Sequence, residues 1–122
     1  MTYGRGMTLK VETITIDCAD PDTLATWWAG VLEGTVNPVV PGEFVVVGWP
    51  GAPNLGFQHV EDPTPGKNRI HVDFAVPDLE AEAARLTGLG ATETARHSFG
   101  EEFHWVVFAD PEGNAFCIAE AP

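Results

Sequence analysis

Positive charge is scarce in this sequence. Of its 122 residues only six are lysine or arginine, against 18 aspartates and glutamates, so the formal net charge is −12 at pH 7. The basic residues are scattered, and a chain without a basic patch attracts neither nucleic acid nor an anionic membrane surface. We therefore expect no nucleic-acid partner and no membrane partner.

Long apolar runs and cysteines are scarce as well. No stretch is long enough to span a bilayer, and the first ten residues, "MTYGRGMTLK", contain no apolar segment of the kind found in signal peptides. The two cysteines, Cys18 and Cys117, are expected to be thiols rather than a disulfide, because nothing predicts export. These features predict a cytoplasmic protein whose residues 1–8 form a flexible leader.

Motifs of phosphate binding and nucleophilic catalysis are absent. Gly4 and Gly6 do not form a phosphate-binding loop, since no strand precedes them and no helix follows directly. The sequence has no Walker motif and no nucleophile elbow. Motifs therefore identify no catalytic residue, and the catalytic residues stay unknown.

A strand followed by a helix is predicted between Thr13 and Gly34. The stretch "TITIDC" alternates apolar and polar residues, which is typical of a half-buried strand. Asp20 is a favoured helix N-cap and Pro21 a favoured first helical residue. In "TLATWWAGVL" the apolar residues recur at helical spacing, and Gly34 can end the helix.

The same order of elements recurs in "RIHVDFAVPDLEAEAARLTGLG". Its N-cap, Asp78, follows Asp20 by 78 − 20 = 58 residues, and at this offset His71 corresponds to Thr13. Repetition of a whole strand, cap and helix unit indicates that the chain is built from two copies of one module.

Each predicted helix is followed by three strand-like runs, separated by turn sequences such as "WPGAPN" and "DPEGN". Module one therefore covers residues 9–60, module two residues 70–122, and the polar stretch 61–69 links them within a single domain, 9–122. The predicted fold is α+β: two βαβββ modules form curved mixed sheets around an open cup, with the helices on the outer face.

On these stretches, together with "LGFQHV" and "WVVFADPEGNAFCIAE", the sequence resembles the vicinal oxygen chelate superfamily. This superfamily includes glyoxalases, bleomycin resistance proteins and extradiol dioxygenases, and the likeness is greatest to its small glyoxalase-like subfamily. The resemblance covers about residues 9–120, and its most specific part is the Asp-Pro-acidic-Gly-Asn turn before the last strand. It implies paired modules around a cup, and a homodimer.

The resemblance also implies four positions for the ligands of a divalent metal. Carried over to this chain, they are Thr13, Gln58 (or Phe57 after a register slip), His71 and Cys117. Mg²⁺ and Mn²⁺ require carboxylates, and threonine and glutamine are poor partners for a zinc ion on His71 and Cys117. Asp73 is expected to lie nearly two strand rises from His71. We therefore expect no standard metal site and no cofactor, with His71 the one plausible ligand at a family position.

Several residues keep alternative interpretations. His71 can be a metal ligand, a polar residue of the cup, or a structural residue bonded to a backbone carbonyl or to Asp73. Cys117 is most simply a small buried apolar residue. Aromatic residues on or near the strands suit either the sheet core or a wall against a flat ligand. The predicted ligand-binding set is Thr13, Trp49, Phe57, Gln58, His71, Asp73, Phe103, Trp105 and Cys117.

Three functions are consistent with these residues. The missing carboxylates favour a protein that binds a hydrophobic or planar small molecule in the cup, and the resemblance adds antibiotic sequestration as a form of this function. The alternative is a lyase or isomerase acting on a small carbonyl compound, with a non-standard metal or with acid–base chemistry by His71, Asp73 or His104. The third is an accessory dimer with a vestigial cup.

Overall fold

The structure is a computed structural model that describes residues 11–51, 53–63, 65, 68, 70–101 and 103–120, without the side chains of Phe99 and Phe103. The expected leader at residues 1–8 lies outside this range. Contacts divide the chain into two compact units, with the boundary after Pro63. This boundary falls within the stretch 61–69 that the turn-rich sequence indicates as a linker.

Module one contains one helix and a mixed four-stranded sheet. Its elements in chain order are β1 (Thr13–Cys18), α1 (Pro21–Leu32), β2 (Thr35–Val40), β3 (Phe44–Gly48) and β4 (Asn54–His59). The strand order is β1-β4-β3-β2; β1 is parallel to β4, and the other neighbours are antiparallel. The helix contacts β2, β3 and β4 and buries Leu24 and Trp28, so one face of this sheet forms the core.

Module two repeats this plan. Its elements are β5 (Val72–Val76), α2 (Leu79–Gly88), β6 (Thr92–Phe99), β7 (Phe103–Ala109) and β8 (Ala115–Glu120). The strand order is β5-β8-β7-β6, with β5 parallel to β8 and the other neighbours antiparallel. The predicted α+β fold of two βαβββ modules with mixed sheets is thereby confirmed.

Both helices begin at the predicted caps. Oδ1 of Asp20 accepts a hydrogen bond from the amide of Thr23 at 3.2 Å, and Oδ1 of Asp78 accepts one from the amide of Ala81 at 3.1 Å. Each carboxylate thus satisfies an amide that has no partner within its helix. The repeated Asp at the 58-residue offset therefore marks the same structural position in both modules.

The end of α1 differs from the prediction. The left-handed residue after the helix is Glu33, with φ 54° and ψ 43°, and not Gly34. Gly34 is needed for a different reason, because a Cβ there would lie 2.5 Å from the carbonyl oxygen of Gly48. Its missing side chain allows the chain to pass close to β3.

The start of β5 also differs. The strand begins at Val72, whereas the alternation of apolar residues from Ile70 predicts a strand that includes His71. His71 therefore lies just before the strand. Neither described helix is long and apolar enough to cross a membrane.

Candidate functional site

The two faces of the module-two sheet differ in chemistry. One face buries Val106, Phe108, Phe116 and Ile118, and the rings of Phe108 and Phe116 stack with centroids 5.8 Å apart. Helix α2 contacts β6 and β8 and buries Leu79, Ala83 and Leu86. We call the other side of this sheet the open face; its residues alternate with these core residues along each strand.

Strand register arranges the open face in two rows. The first row crosses the sheet from β5 to β6, and the second lies beside it in the same order. The first consists of Asp73, Cys117, Val107 and Ala95, and the second of Ala75, Ala119, Trp105 and His97. Asp73 and Cys117 thus lie on β5 and β8 in the first row, and the aromatic rings lie on β7 and β6 in the second row. Ala75 and Ala119 lie beside the polar groups in the second row, and Ala119 is the direct neighbour of Trp105.

The polar end is a cluster of three side chains, His71, Asp73 and Cys117. Nε2 of His71 lies 3.2 Å from Oδ1 of Asp73, and the side chains are 39% and 71% exposed. Cys117 is the direct neighbour of Asp73 on β8 and is only 7% exposed. One donor atom from each residue lies within 4.8 Å of the other two. The expectation that Asp73 is too far from His71 is wrong, because both side chains point to the same side and the imidazole reaches along the chain to the carboxylate.

The aromatic end is the pair His97 and Trp105. Their ring centroids lie 5.1 Å apart with an interplanar angle of 33°, and Trp105 is half-buried whereas His97 is exposed. The predicted ligand-binding set includes Trp105 but not His97. The sequence "SFGEEF" is typical of a hairpin turn and could have indicated this pair. The loop that begins at Gly100 (φ 66°) joins β6 to β7 in a register that pairs His97 with Trp105.

The structure places the predicted residues of module one in different settings. Phe57 is fully buried beside Val45 and belongs to the core, whereas Gln58 is exposed on the opposite side of β4. The indole of Trp49 donates to the carbonyl of Pro53 at 3.0 Å and lies against Gly51. Trp49 is therefore held by its own loop.

Thr13 is half-buried and packs over Gly56. Its methyl group lies 3.0 Å from the point where a Cβ of Gly56 would stand. Gly56 pairs with Thr15, and Cys117 pairs with Asp73, which follows Thr15 by 73 − 15 = 58 residues. By this internal repeat the module-one counterpart of Cys117 is Gly56, not Gln58 or Phe57.

Three further candidates have other roles or settings. Phe103 begins β7, but its side chain is outside the described part of the structure. His104 lies on the opposite side of β7 from Trp105, and its Nε2 is 2.8 Å from the carbonyl oxygen of Glu101. Asp110 is 4% exposed and accepts from the amides of Glu112 and Asn114, both at 2.9 Å. Asp110 thus has the turn role predicted for it.

The described basic residues are held by glutamates. Arg96 on β6 donates to Glu80 at 2.6 Å and to Glu93 at 2.8 and 3.0 Å. The hydrogen bond from Arg96 lowers the pKa of Glu93, and the bonds to Glu93 and Glu80 raise the pKa of Arg96. Arg85 pairs with Glu82. Within the described residues, therefore, no arginine is left to bind an anionic ligand.

The donor types in the cluster decide which metal the protein could hold. The carried-over four-ligand set does not fit a hard ion, because it contains no carboxylate. Gly56, which the internal repeat puts in the place of Gln58, adds no ligand, since it has no side chain and the methyl group of Thr13 packs over it. His71, Asp73 and Cys117 instead offer nitrogen, oxygen and sulfur, the ligand atoms of zinc sites with three protein ligands. A bound zinc ion would act as a Lewis acid there, and these three residues would hold it.

Comparison with known families identifies one domain type. Residues 13–119 match the model of the family described as a glyoxalase-like domain. No curated protein matches the sequence. The family match covers most of the chain and includes all the elements described above except the last residue of β8.

Solved structures share the fold. A glyoxalase/bleomycin resistance protein/dioxygenase family enzyme from Burkholderia phytofirmans PsJN superposes with a TM-score of 0.78 at 18% identity, covering 93% of this chain and 100% of that chain. A superfamily member from Sphaerobacter thermophilus DSM 20745 gives 0.72 at 23% identity, covering 93% and 98%. A lactoylglutathione lyase from Agrobacterium tumefaciens gives 0.71 at 17% identity, covering 96% of each chain. At these identities the likeness shows the fold alone.

Proposed function

Since the chain belongs to the glyoxalase-like domain family of the vicinal oxygen chelate superfamily, we propose that it binds a planar or hydrophobic small molecule on the open face of module two. One observation carries the proposal: Ala75 and Ala119 form a floor that adjoins the polar cluster along the strands and the aromatic pair at Trp105. A fold does not determine function, so the proposal rests on these side chains.

The dimensions of the open face suit a small ring system. Trp105 on β7 and Ala75 on β5 are separated by β8. Neighbouring strands lie about 4.8 Å apart, so the floor between them is roughly 10 Å wide. A flat molecule that lies on Ala75 and Ala119 can contact the ring of Trp105 along one edge. It can also form hydrogen bonds with His71 and Asp73.

Charge narrows the class of ligand. The chain carries a formal net charge of −12, and the described arginines are paired with glutamates. An anionic ligand would meet repulsion from the protein's field, whereas a neutral or cationic one would not. The proposed ligand is therefore an uncharged or cationic planar compound, and sequestration of such an antibiotic is one form of the function.

The test uses the fluorescence of tryptophan. We expect neutral and cationic fused-ring compounds to quench the wild-type protein, measured with a chelator present so that metal plays no part. Replacement Trp105→Ala removes one stacking partner, and it should weaken binding by roughly threefold to tenfold.

Trp49→Phe is the matched control, because the indole of Trp49 is bound to its own loop in module one. Its affinity for the same compounds should equal that of the wild type. The proposal would be contradicted if both variants lost the same amount of affinity, or if no compound of a broad panel quenched the fluorescence.

A second candidate function is favoured by the contact between His71 and Asp73. A carboxylate 3.2 Å from an imidazole nitrogen can hold the ring in one orientation, which suits a general acid or base. The corresponding activity is that of a lyase or isomerase moving a proton next to the carbonyl group of a small substrate.

Proton exchange distinguishes this enzyme from a binding protein. Small hydroxy-carbonyl compounds in deuterated water would be followed by NMR for loss of the hydrogen beside the carbonyl. The enzyme predicts exchange that falls by about 100-fold or more in His71→Ala, the usual contribution of a general acid or base. His104→Ala is the control, since His104 lies on the other side of β7. If the wild type catalyses no exchange, the lyase or isomerase function is contradicted and only the binding function is kept.

A further inference from the structure

We propose that module two binds a thiophilic divalent ion of the zinc class through His71, Asp73 and Cys117. The site lies within one module and uses a carboxylate that the family's four ligand positions do not include. This inference goes beyond the small-molecule binding proposed above and does not depend on it.

The distances are close to those of a metal site. The three donor atoms lie within 4.8 Å of one another. Zinc bonds of 2.0 Å to nitrogen and 2.3 Å to sulfur place tetrahedral ligands roughly 3.3–3.8 Å apart, so the cluster needs to contract by about 1 Å. Rotation of the exposed side chains of His71 and Asp73 can supply this movement, while Cys117 stays in place on β8.

The donor types select the ion. Thiolate and imidazole bind Zn²⁺ well, whereas Mg²⁺ and Mn²⁺ prefer sites made of oxygen atoms. The cluster has one carboxylate and two softer ligands. It should therefore bind Zn²⁺, and Co²⁺ as its substitute, in preference to Mg²⁺ or Mn²⁺.

The strand register gives a reason for placing a cation there. Asp73 and Cys117 are direct neighbours on β5 and β8, so a carboxylate and a thiol share one position of the sheet. One divalent ion at this position can bind the carboxylate oxygen and the sulfur together.

Module one has no equivalent set. The 58-residue repeat matches His71 with Thr13 and Asp73 with Thr15, and the register matches Cys117 with Gly56. Two hydroxyls and a glycine do not bind a zinc ion. The proposed site therefore has three protein ligands, which leaves a further coordination position for water or another small ligand.

The test is a titration of metal-free full-length protein with Co²⁺ under reducing conditions. A thiolate ligand produces a sulfur-to-cobalt charge-transfer band in the near ultraviolet, which reports coordination independently of any activity. We expect one equivalent to bind, the band to saturate, and Zn²⁺ to abolish it by displacement.

Variants assign the band to its ligands. Cys117→Ser should abolish it, whereas Cys18→Ser should retain it, because Cys18 is a fully buried thiol of module one. Asp73→Asn and His71→Ala should each weaken binding by at least about tenfold, a loss that even outer-shell partners of a metal cause. Both residues are exposed, so these two variants keep the test valid if Cys117→Ser does not fold.

Cys117→Glu tests the selectivity directly. It converts the set to one nitrogen and two carboxylates, and it should lose the band and gain affinity for Mn²⁺ relative to Zn²⁺. A band that survives Cys117→Ser, a wild type that binds Mn²⁺ more tightly than Zn²⁺, or no stoichiometric ion would each overturn the inference. Because the fluorescence assay for the small molecule contains a chelator, its outcome is independent of this one.

Discussion

At the scale of single residues, the side chain of Asn68 forms the hydrogen bonds that a neighbouring strand would otherwise form with the start of β8. The side-chain oxygen of Asn68 accepts from the amide of Ala115 at 2.7 Å, and its amide group donates to the carbonyls of Ala115 at 3.3 Å and of Ile70. Ala115 begins β8, whose parallel partner β5 begins only at Val72. Asn68 therefore extends the pairing of β8 beyond the start of β5.

We expect Asn68→Ala to lower the free energy of unfolding by about 1–3 kcal/mol, because the amide and carbonyl of Ala115 lose their partner. Urea denaturation followed by circular dichroism measures the change. Asn68→Asp keeps the acceptor and loses the donors, so its loss should be smaller.

Asn37→Ala on the exposed strand β2 is the matched control and should change stability by no more than about 0.5 kcal/mol. If Asn68→Ala behaved like Asn37→Ala, the hydrogen bonds of Asn68 would contribute nothing to stability.

At the scale of helices and strands, the sequence predicts most of the fold because each element is signalled locally. Two aspartate caps mark the helices, and apolar alternation between turn sequences marks the strands. The end of α1 is an exception, because a tertiary contact determines which residue is needed there. Gly34 is required by its close approach to Gly48, and Glu33 adopts the left-handed conformation that ends the helix.

The candidate site is less predictable from the sequence than the helices and strands are, because the register of strand pairing determines which side chains lie next to one another. The sequence places His71 and Cys117 near a binding surface, but the neighbours of each depend on how strands pair. Asp73 stands beside Cys117 through the parallel pairing of β5 and β8. His97 meets Trp105 through the hairpin of β6 and β7. Periodicity indicates which face a residue occupies and not which residue lies next to it on another strand.

The start of α1 makes a prediction about pH. The hydroxyl of Thr23 donates to Asp20 at 2.8 Å, and this bond, with that from the Thr23 amide, holds the pKa of Asp20 below its ordinary value of 3.8. The folded pKa is lower than the unfolded one, so ionised Asp20 stabilises the folded state at pH values above the ordinary pKa. This contribution is lost as pH falls through the folded pKa.

The melting temperature of Asp20→Asn should therefore lie below that of the wild type at neutral pH, and the difference should shrink in acid. Asparagine keeps the capping geometry, so the change isolates the charge. Thr23→Val should reduce the pH dependence, whereas Thr26→Val should not, since Thr26 donates to the carbonyl of Asp22. A constant difference across the pH range would contradict the assignment.

At the scale of the whole molecule, two modules of one topology differ in what their sheets present. Module one has Thr13 and Phe44 packed over Gly56, whereas module two has the cluster at Cys117 and the pair at Trp105. Repetition has kept the elements and their caps while the side chains diverged. Both proposals therefore concern module two, and the homodimer that the resemblance implies stays a prediction.

Net charge makes a prediction about salt. The chain has 18 acidic and six basic residues, so in the folded state its acidic groups repel one another. The screening length falls from about 30 Å at 0.01 M salt to about 10 Å at 0.1 M. We expect this change to raise the free energy of unfolding by about 1 kcal/mol and the melting temperature by roughly 3–6 °C.

The rise should be smaller in a variant that carries less charge. Glu61→Lys, Asp62→Lys and Glu101→Lys replace three exposed acids, and the formal net charge becomes −12 + 6 = −6. Differential scanning calorimetry of both proteins in sodium chloride measures the effect, and sucrose at the same concentrations controls for uncharged solutes. If repulsion limits stability, the variant also melts higher than the wild type at low salt. An equal response to salt in the two proteins would mean that local ion pairs, such as that of Arg96 with Glu80, outweigh the repulsion of the whole chain.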